Sequence, residues 1–234
     1  MLFRSFHVGA GVVGDLDTAE GLCALLAETA RCPVLAPEYR LAPEHRFPAG
    51  LEDAVAAYAW AADNASRYGA SGAAVGGEGV GAGFAAAVCQ LRKAQDEPQP
   101  SAQLLICPML DAAARGGSID AFAQAWPLSK ESLTWTLEHY VGAEADPADP
   151  RLSPLRAEDV SGLAPAVVAA AGFDPLFDQA EAYARRLTAV GTPVRFRLWD
   201  GLPHAFSAVA GVTPSAEAAC REIAELFRAT VGRA

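Results

Sequence analysis

Positive charge is what this chain is short of. Lys and Arg number 18 against 28 Asp and Glu, a net charge of −10 at neutral pH, and no basic cluster interrupts that balance. A surface for nucleic acid or an anionic membrane needs such a cluster, so both are excluded as partners. Long apolar runs are missing as well. None approaches the roughly 18 residues of a membrane span, and the opening stretch Met1–His7 predicts no signal peptide. Cys23, Cys32, Cys89, Cys107 and Cys220 are scattered, odd in number and without C-x-x-C spacing. They read as small buried hydrophobes in a reducing cytoplasm, with no disulfide and no metal site expected. What the chain does have is core-forming material: 52% of its 234 residues are hydrophobic and the mean hydropathy is +0.16. That composition argues against disorder and fits one α/β domain.

Apolar runs alternate with helical stretches, the pattern of a largely parallel sheet with helices on both faces. The runs predict six strands, at Leu2–Phe6, Pro33–Ala36, Ala73–Gly76, Gln103–Cys107, Ala166–Ala170 and Val194–Trp199. Between them, Leu51, Val55, Tyr58 and Ala62 recur at helical spacing, as do Tyr183, Leu187 and Val190 before Gly191. A last helix opens at Thr213-Pro214, proline being suited to the first turn, and uses Cys220, Ile223 and Phe227. The segment Ser129–Gly142 is helical but stands outside the alternation, as an insertion over the upper edge of the sheet would.

One junction carries the chemistry. Gly72–Val75 reads as a strand end and Phe84–Cys89 as a helix packed on a sheet, with Gly76-Gly77-Glu78-Gly79-Val80-Gly81 between them. A strand, a sharp turn and a helix make the G-x-S-x-G elbow, which presents a serine hydroxyl at the top of an α/β sheet. Here the middle residue is Gly79, which has no side chain. The same glycines also fit G-x-G-x-x-G/A, a dinucleotide fingerprint. That motif needs an acidic residue about 20 positions on, at the end of the next strand. Asp96 and Glu97 are near that spacing but sit in a Pro-rich loop before the strand at Gln103, so no nucleotide cofactor is expected.

Several further motifs carry a resemblance. Glu38-Tyr39-Arg40-Leu41-Ala42-Pro43-Glu44-His45, followed by Phe47-Pro48 and Leu51-Glu52-Asp53-Ala54, is similar to the D-Y-R-L-A-P-E-H-P-F-P-A-A-L-E-D run of the hormone-sensitive-lipase branch of the α/β-hydrolases. Gly14-Asp15-Leu16-Asp17, Asp149-Pro150-Arg151-Leu152-Ser153-Pro154, Gly172-Phe173-Asp174-Pro175-Leu176 and Asp200-Gly201-Leu202-Pro203-His204-Ala205-Phe206 match other motifs of that family. The resemblance covers nearly the whole chain. It implies an α/β-hydrolase fold and descent from carboxylesterases and lipases of short acyl esters. It also implies a triad in the order Ser, Asp, His, in which Asp174 matches the acid, His204 the base and Gly79 the nucleophile position. Backbone N–H groups of Gly9, Ala10 and Val80 match the donors of the oxyanion hole, and His7 reads as a structural loop residue.

The chain departs from that family at three places. The nucleophile is glycine. The family's H-G-G-G loop reads His7-Val8-Gly9-Ala10-Gly11, where a Cβ on Val8 and Ala10 restricts φ and crowds the approach to substrate. Only five residues precede Phe6, so the family's first two strands and cap helices are expected to be absent. Residues 129–142 would then be a remnant of a reduced cap on a single domain, 1–234. The strand at 33–36 becomes a sheet edge, open to pairing with a second copy; the opposite edge at 194–199 is the other dimerisation candidate.

An acyl-enzyme has no obvious atom to form on here. The expectation is therefore a carboxylesterase-like pseudoenzyme whose partner is a small acyl ester or a carboxylate. The alternatives are a ligand-binding protein without chemistry, or a lyase or cyclase that uses Asp174–His204 as a general acid and base.

Overall fold

In the strands, successive side chains feed two different cores, as the two-residue period requires. Leu2 and Phe6 of β1 (Leu2–Phe6) pack on one face of the sheet, and Phe3 on the other. In β4 (Gln103–Ile106), Leu105 joins the first core and Leu104 and Ile106 the second. In β5 (Ala166–Phe173), Ala166, Val168 and Ala170 alternate in the same way with Val167, Ala169 and Ala171. Strands buried on both faces read as unbroken apolar runs, which is why the sequence announces them so clearly.

The computed structural model describes residues 1–232. Its remaining strands are β2 (Val34–Leu35), β3 (Ala73–Glu78) and β6 (Val194–Pro203), and all six form one sheet in the order β2-β1-β3-β4-β5-β6. Every neighbouring pair is parallel. Helices α1 (Leu16–Ala30) and α7 (Pro214–Val231) cover one face. Helices α2 (Ala49–Asn64), α3 (Val80–Ala94) and α6 (Phe177–Ala189) cover the other. Among the described residues, a short α4 (Ser118–Ala121) and α5 (Lys130–Val141) are the remaining α-helices. Among the described residues, no helix is long and apolar enough to cross a membrane.

The edge position of β2 agrees with the sequence expectation, but the strand is two residues long, flanked by Pro33 and Pro37. Three other strands run past their predicted ends, β5 by the three residues Ala171–Phe173. β3 continues through Gly77 and Glu78, which pair with Phe6 and Ile106. β6 continues to Pro203 because a register irregularity between Ala171 and Phe173 lets the chain stay paired. The segment 129–142 is helical as expected and forms α5, closed at its start by a reciprocal Ser129–Ser132 capping box and at its end by Gly142.

A parallel sheet sends all its carboxyl ends to one side. His7 follows β1, Gly79 follows β3, Cys107 follows β4, Asp174 follows β5 and His204 follows β6. Five segments far apart in sequence thus bring their carboxyl ends to one side of the sheet.

Candidate active site

The elbow is built from glycine for steric reasons. Gly79 holds φ 58° and ψ −119°, a conformation that L side chains rarely adopt. A Cβ on Gly81 would meet the Phe6 carbonyl oxygen at 2.3 Å, so only glycine lets α3 start this close to β1. The turn is pinned on both sides: Gly79 N–H donates to the Ile106 carbonyl at 2.9 Å, and Met109 N–H to the Gly79 carbonyl at 3.0 Å. Val80 opens α3, so its N–H is among the helix donors with no carbonyl one turn back.

Asp174 and His204 meet over this turn. His204 Nδ1–H donates to Asp174 Oδ2 at 3.0 Å, and Leu176 N–H donates to Oδ1 at 2.8 Å. The carboxylate therefore caps its own turn and orients the imidazole at once. Both side chains are buried. With Nδ1 carrying the proton toward Asp174, Nε2 is directed at the elbow: a Cβ built on Gly79 would lie 3.6 Å from it. Burial disfavours a charged imidazole, but the Asp174 charge and hydrogen bond, with help from Glu78, overcome it and raise the His204 pKa above the ordinary histidine value. Burial also raises the Glu78 pKa, toward the neutral acid. Asp174, whose Oδ2 accepts from Nδ1, is the carboxylate that orients the imidazole.

Two arrangements beneath the site were not readable in the sequence, the partner of Glu78 and the place of Cys107. Ser207 Oγ donates to Glu78 Oε2, tying the loop that carries His204 to the end of β3, while among the described residues the buried Glu78 Oε1 has no partner. Residues 129 positions apart leave no periodic signal of such a pair. Cys107, read only as a small hydrophobe, offers a sulfur within 4.8 Å of donor atoms of Asp174 and His204. Burial, then the nearby Asp174 and Glu78 charges, push its pKa well above the ordinary thiol value. Metals take thiolates, and the carboxylate and imidazole already satisfy each other, so the trio fits a hydrogen-bonded cluster better than a metal site.

The glycine-poor loop after β1 has the shape its sequence resists. Gly9 sits at φ 132° and Ala10 at φ 54°, the latter in a region that costs a non-glycine residue energy. The Val8 side chain would lie 3.2 Å from a Cβ on Gly79. His7 is behind this loop. Its Nδ1–H donates to the Val8 carbonyl at 2.8 Å, its ring stacks on Tyr39 at 4.1 Å, and burial lowers its pKa. Tyr39 belongs to the most distinctive sequence motif, as does Arg40, whose Nη2 reaches Asp53 at 2.8 Å. That motif is scaffold.

Above the elbow is a cavity of about 400 Å³. Gly9, Ala10, Gly79, Val80 and His204 form its floor, and Met109, Leu128, Leu133 and Leu176 make much of its wall. Ser132 and Thr136 show that α5 lies over it.

The alpha/beta hydrolase fold family matches residues 3–208, which include the elbow, Asp174 and His204. The chain belongs to that family. Within it, the chain is 43% identical over 236 residues to carboxylic ester hydrolase LipN of Mycobacterium tuberculosis, an alignment spanning 97% of this chain and 63% of LipN. It is 37% identical to an ethyl acetate hydrolase of Pseudomonas putida, over 90% of this chain and 67% of that one. The chain thus spans about two thirds of the length of these curated relatives. Among solved structures, an ester hydrolase from the metagenome of Lake Arreo superposes with a TM-score of 0.95 at 39% identity, covering 99% of this chain and 74% of that one. An esterase of the archaeon Pyrobaculum calidifontis gives 0.93 at 30% identity, covering 97% and 76%.

Proposed function

We propose that this α/β-hydrolase keeps the acyl pocket of an esterase but has lost ordinary serine-ester hydrolysis, and that the pocket now serves a small-molecule ligand. Gly79 carries the reading: the residue that His204 Nε2 faces has no hydroxyl to give up a proton. Losing the nucleophile alone costs about 10⁶ in kcat in a well-studied serine protease. Neither Cys107 nor Glu78 replaces it, since both are buried and neither lines the cavity. The similarity to carboxylic ester hydrolases supports an acyl-shaped ligand, and α5 is read as the remnant of a reduced cap.

The test is turnover of p-nitrophenyl butyrate by the wild type and His204→Ala. Both should give the same background rate, and a serine-directed phosphonate should label neither. A robust rate that collapses in the variant overturns the proposal.

The intact dyad favours one second reading, proton transfer for an elimination or cyclisation, with His204 as base and Asp174 holding its tautomer. The unpaired cysteines support a reducing, cytoplasmic setting. A second copy of the chain, bound at a sheet edge, is the proposed partner.

A further inference from the structure

Three features converge on the space above Gly79. The first is the start of α3, a 15-residue helix whose N-cap Gly79 and first residue Val80 line that space, at the positive end of the helix dipole. The second is independent of the helix. His204 is buried, with a side chain 8% exposed, and Nδ1 is committed to Asp174. Among the described residues Nε2 has no hydrogen-bond partner, and it borders the cavity. The third is the wall, where Met109, Leu128, Leu133 and Leu176 present apolar surface directly above these polar groups. One end of the cavity offers hydrogen-bond donors, and most of the remaining lining is apolar, with the Thr18, Ser132 and Thr136 hydroxyls among it.

We infer that the cavity binds a small aliphatic carboxylate, its head group on Val80 N–H and His204 Nε2–H and its tail against the apolar wall. The inference rests on the proposed loss of hydrolysis, because a serine on Gly79 would occupy the head-group position. A Cβ there already comes within 3.2 Å of Val8 and 3.6 Å of His204 Nε2. A carboxylate can accept from both donors together. A neutral ester or amide carbonyl gains less from an imidazolium, since hydrogen bonds to charged partners are roughly twice as strong.

Binding must then depend on the charge of His204. The groups packed around that imidazole are Asp174 at the end of β5, Glu78 at the end of β3 and Cys107 at the end of β4. Asp174 favours the imidazolium, whereas burial favours neutral forms of Glu78 and Cys107. The head group therefore meets the Nε2 side of the imidazole, while the carboxylate hydrogen-bonded to it, Asp174, lies behind it on Nδ1. Deprotonating His204 removes the Nε2 donor and turns that nitrogen into an acceptor facing the carboxylate.

Butyrate is the probe, with butyramide as its neutral isostere, measured by calorimetry and by NMR of the His204 ring. At about pH 6, below the ordinary histidine pKa, butyrate should bind about tenfold or more tighter than butyramide. That preference should disappear above the His204 titration and in His204→Gln. By linkage, saturating butyrate must raise the pKa observed at His204. Equal affinity for the two probes, a pH-independent preference, or an unmoved His204 titration overturns the inference. The last two readouts need only the wild type, so they decide the matter even where His204→Gln fails to fold. The outcome is separable from the hydrolysis test: absent butyrate binding with absent esterase activity refutes the carboxylate site alone, and His204-dependent turnover refutes the function proposed above.

Discussion

His204 Nε2 stands 3.6 Å from the point where a β-carbon on Gly79 would be. The base, the acid behind it and the turn beneath it are arranged as if a side chain were there. The same position is also hostile to one. Gly79 sits at φ 58°, and Val8 Cγ2 would be 3.2 Å from the new atom.

Gly79→Ser should therefore destabilise the fold by on the order of 1 kcal/mol. Denaturant unfolding against the wild type measures the change. The single variant should hydrolyse p-nitrophenyl butyrate poorly, and adding Val8→Gly and Ala10→Gly should raise that rate by relieving the crowding and the φ 54° strain at Ala10. Vigorous hydrolysis by Gly79→Ser alone would show that the loop already suits an oxyanion.

The dyad should leave a signature in stability against pH. The folded His204 pKa lies above its unfolded value, which is near 6.5. The folded state then holds the proton more tightly, so this stabilisation is complete below the unfolded pKa and fades as pH rises through the folded one. The stability difference between the wild type and His204→Gln should be largest in mild acid and shrink with rising pH. A difference that grows instead would mean that His204 is buried as the neutral imidazole.

The fold was legible because burial on both faces writes strands as apolar runs, and β1 was found to the residue at Leu2–Phe6. Strand ends were less legible. Gly77 and Glu78 look like turn residues, yet their partners Phe6 and Ile106 hold them in the ladder. The Asp174–His204 pair was readable only from motifs, since nothing in local spacing joins residues 30 apart. The Ser207–Glu78 link was invisible for the same reason.

That hidden link makes its own prediction. Ser207→Ala removes the hydroxyl that donates to Glu78 Oε2, while among the described residues Oε1 has no partner, at a cost of about 1–3 kcal/mol. Glu78→Gln should cost less, because burial already favours an uncharged group there. Thermal melts of the two variants give the order; a worse loss in Glu78→Gln would show that the carboxylate is ionised.

The sheet has two edges, and they are unequal as docking surfaces. β2 is two residues long and bracketed by Pro33 and Pro37, both of which discourage a further strand. β6 runs ten residues along the other edge, and it leaves Phe196 exposed at 38%. Its charged residues are partly engaged elsewhere, Arg197 with Glu222 at 2.8 Å and Arg195 with Thr230 at 3.1 Å. Association of two copies should therefore run through β6 and not through β2, whereas the sequence expectation puts it first at the 33–36 edge. Sedimentation equilibrium should show a reversible dimer that Phe196→Lys shifts toward monomer, while Val34→Lys leaves it unchanged. A wild type that stays monomeric at every concentration, or a dimer broken by the Val34 change alone, would remove β6 as the contact.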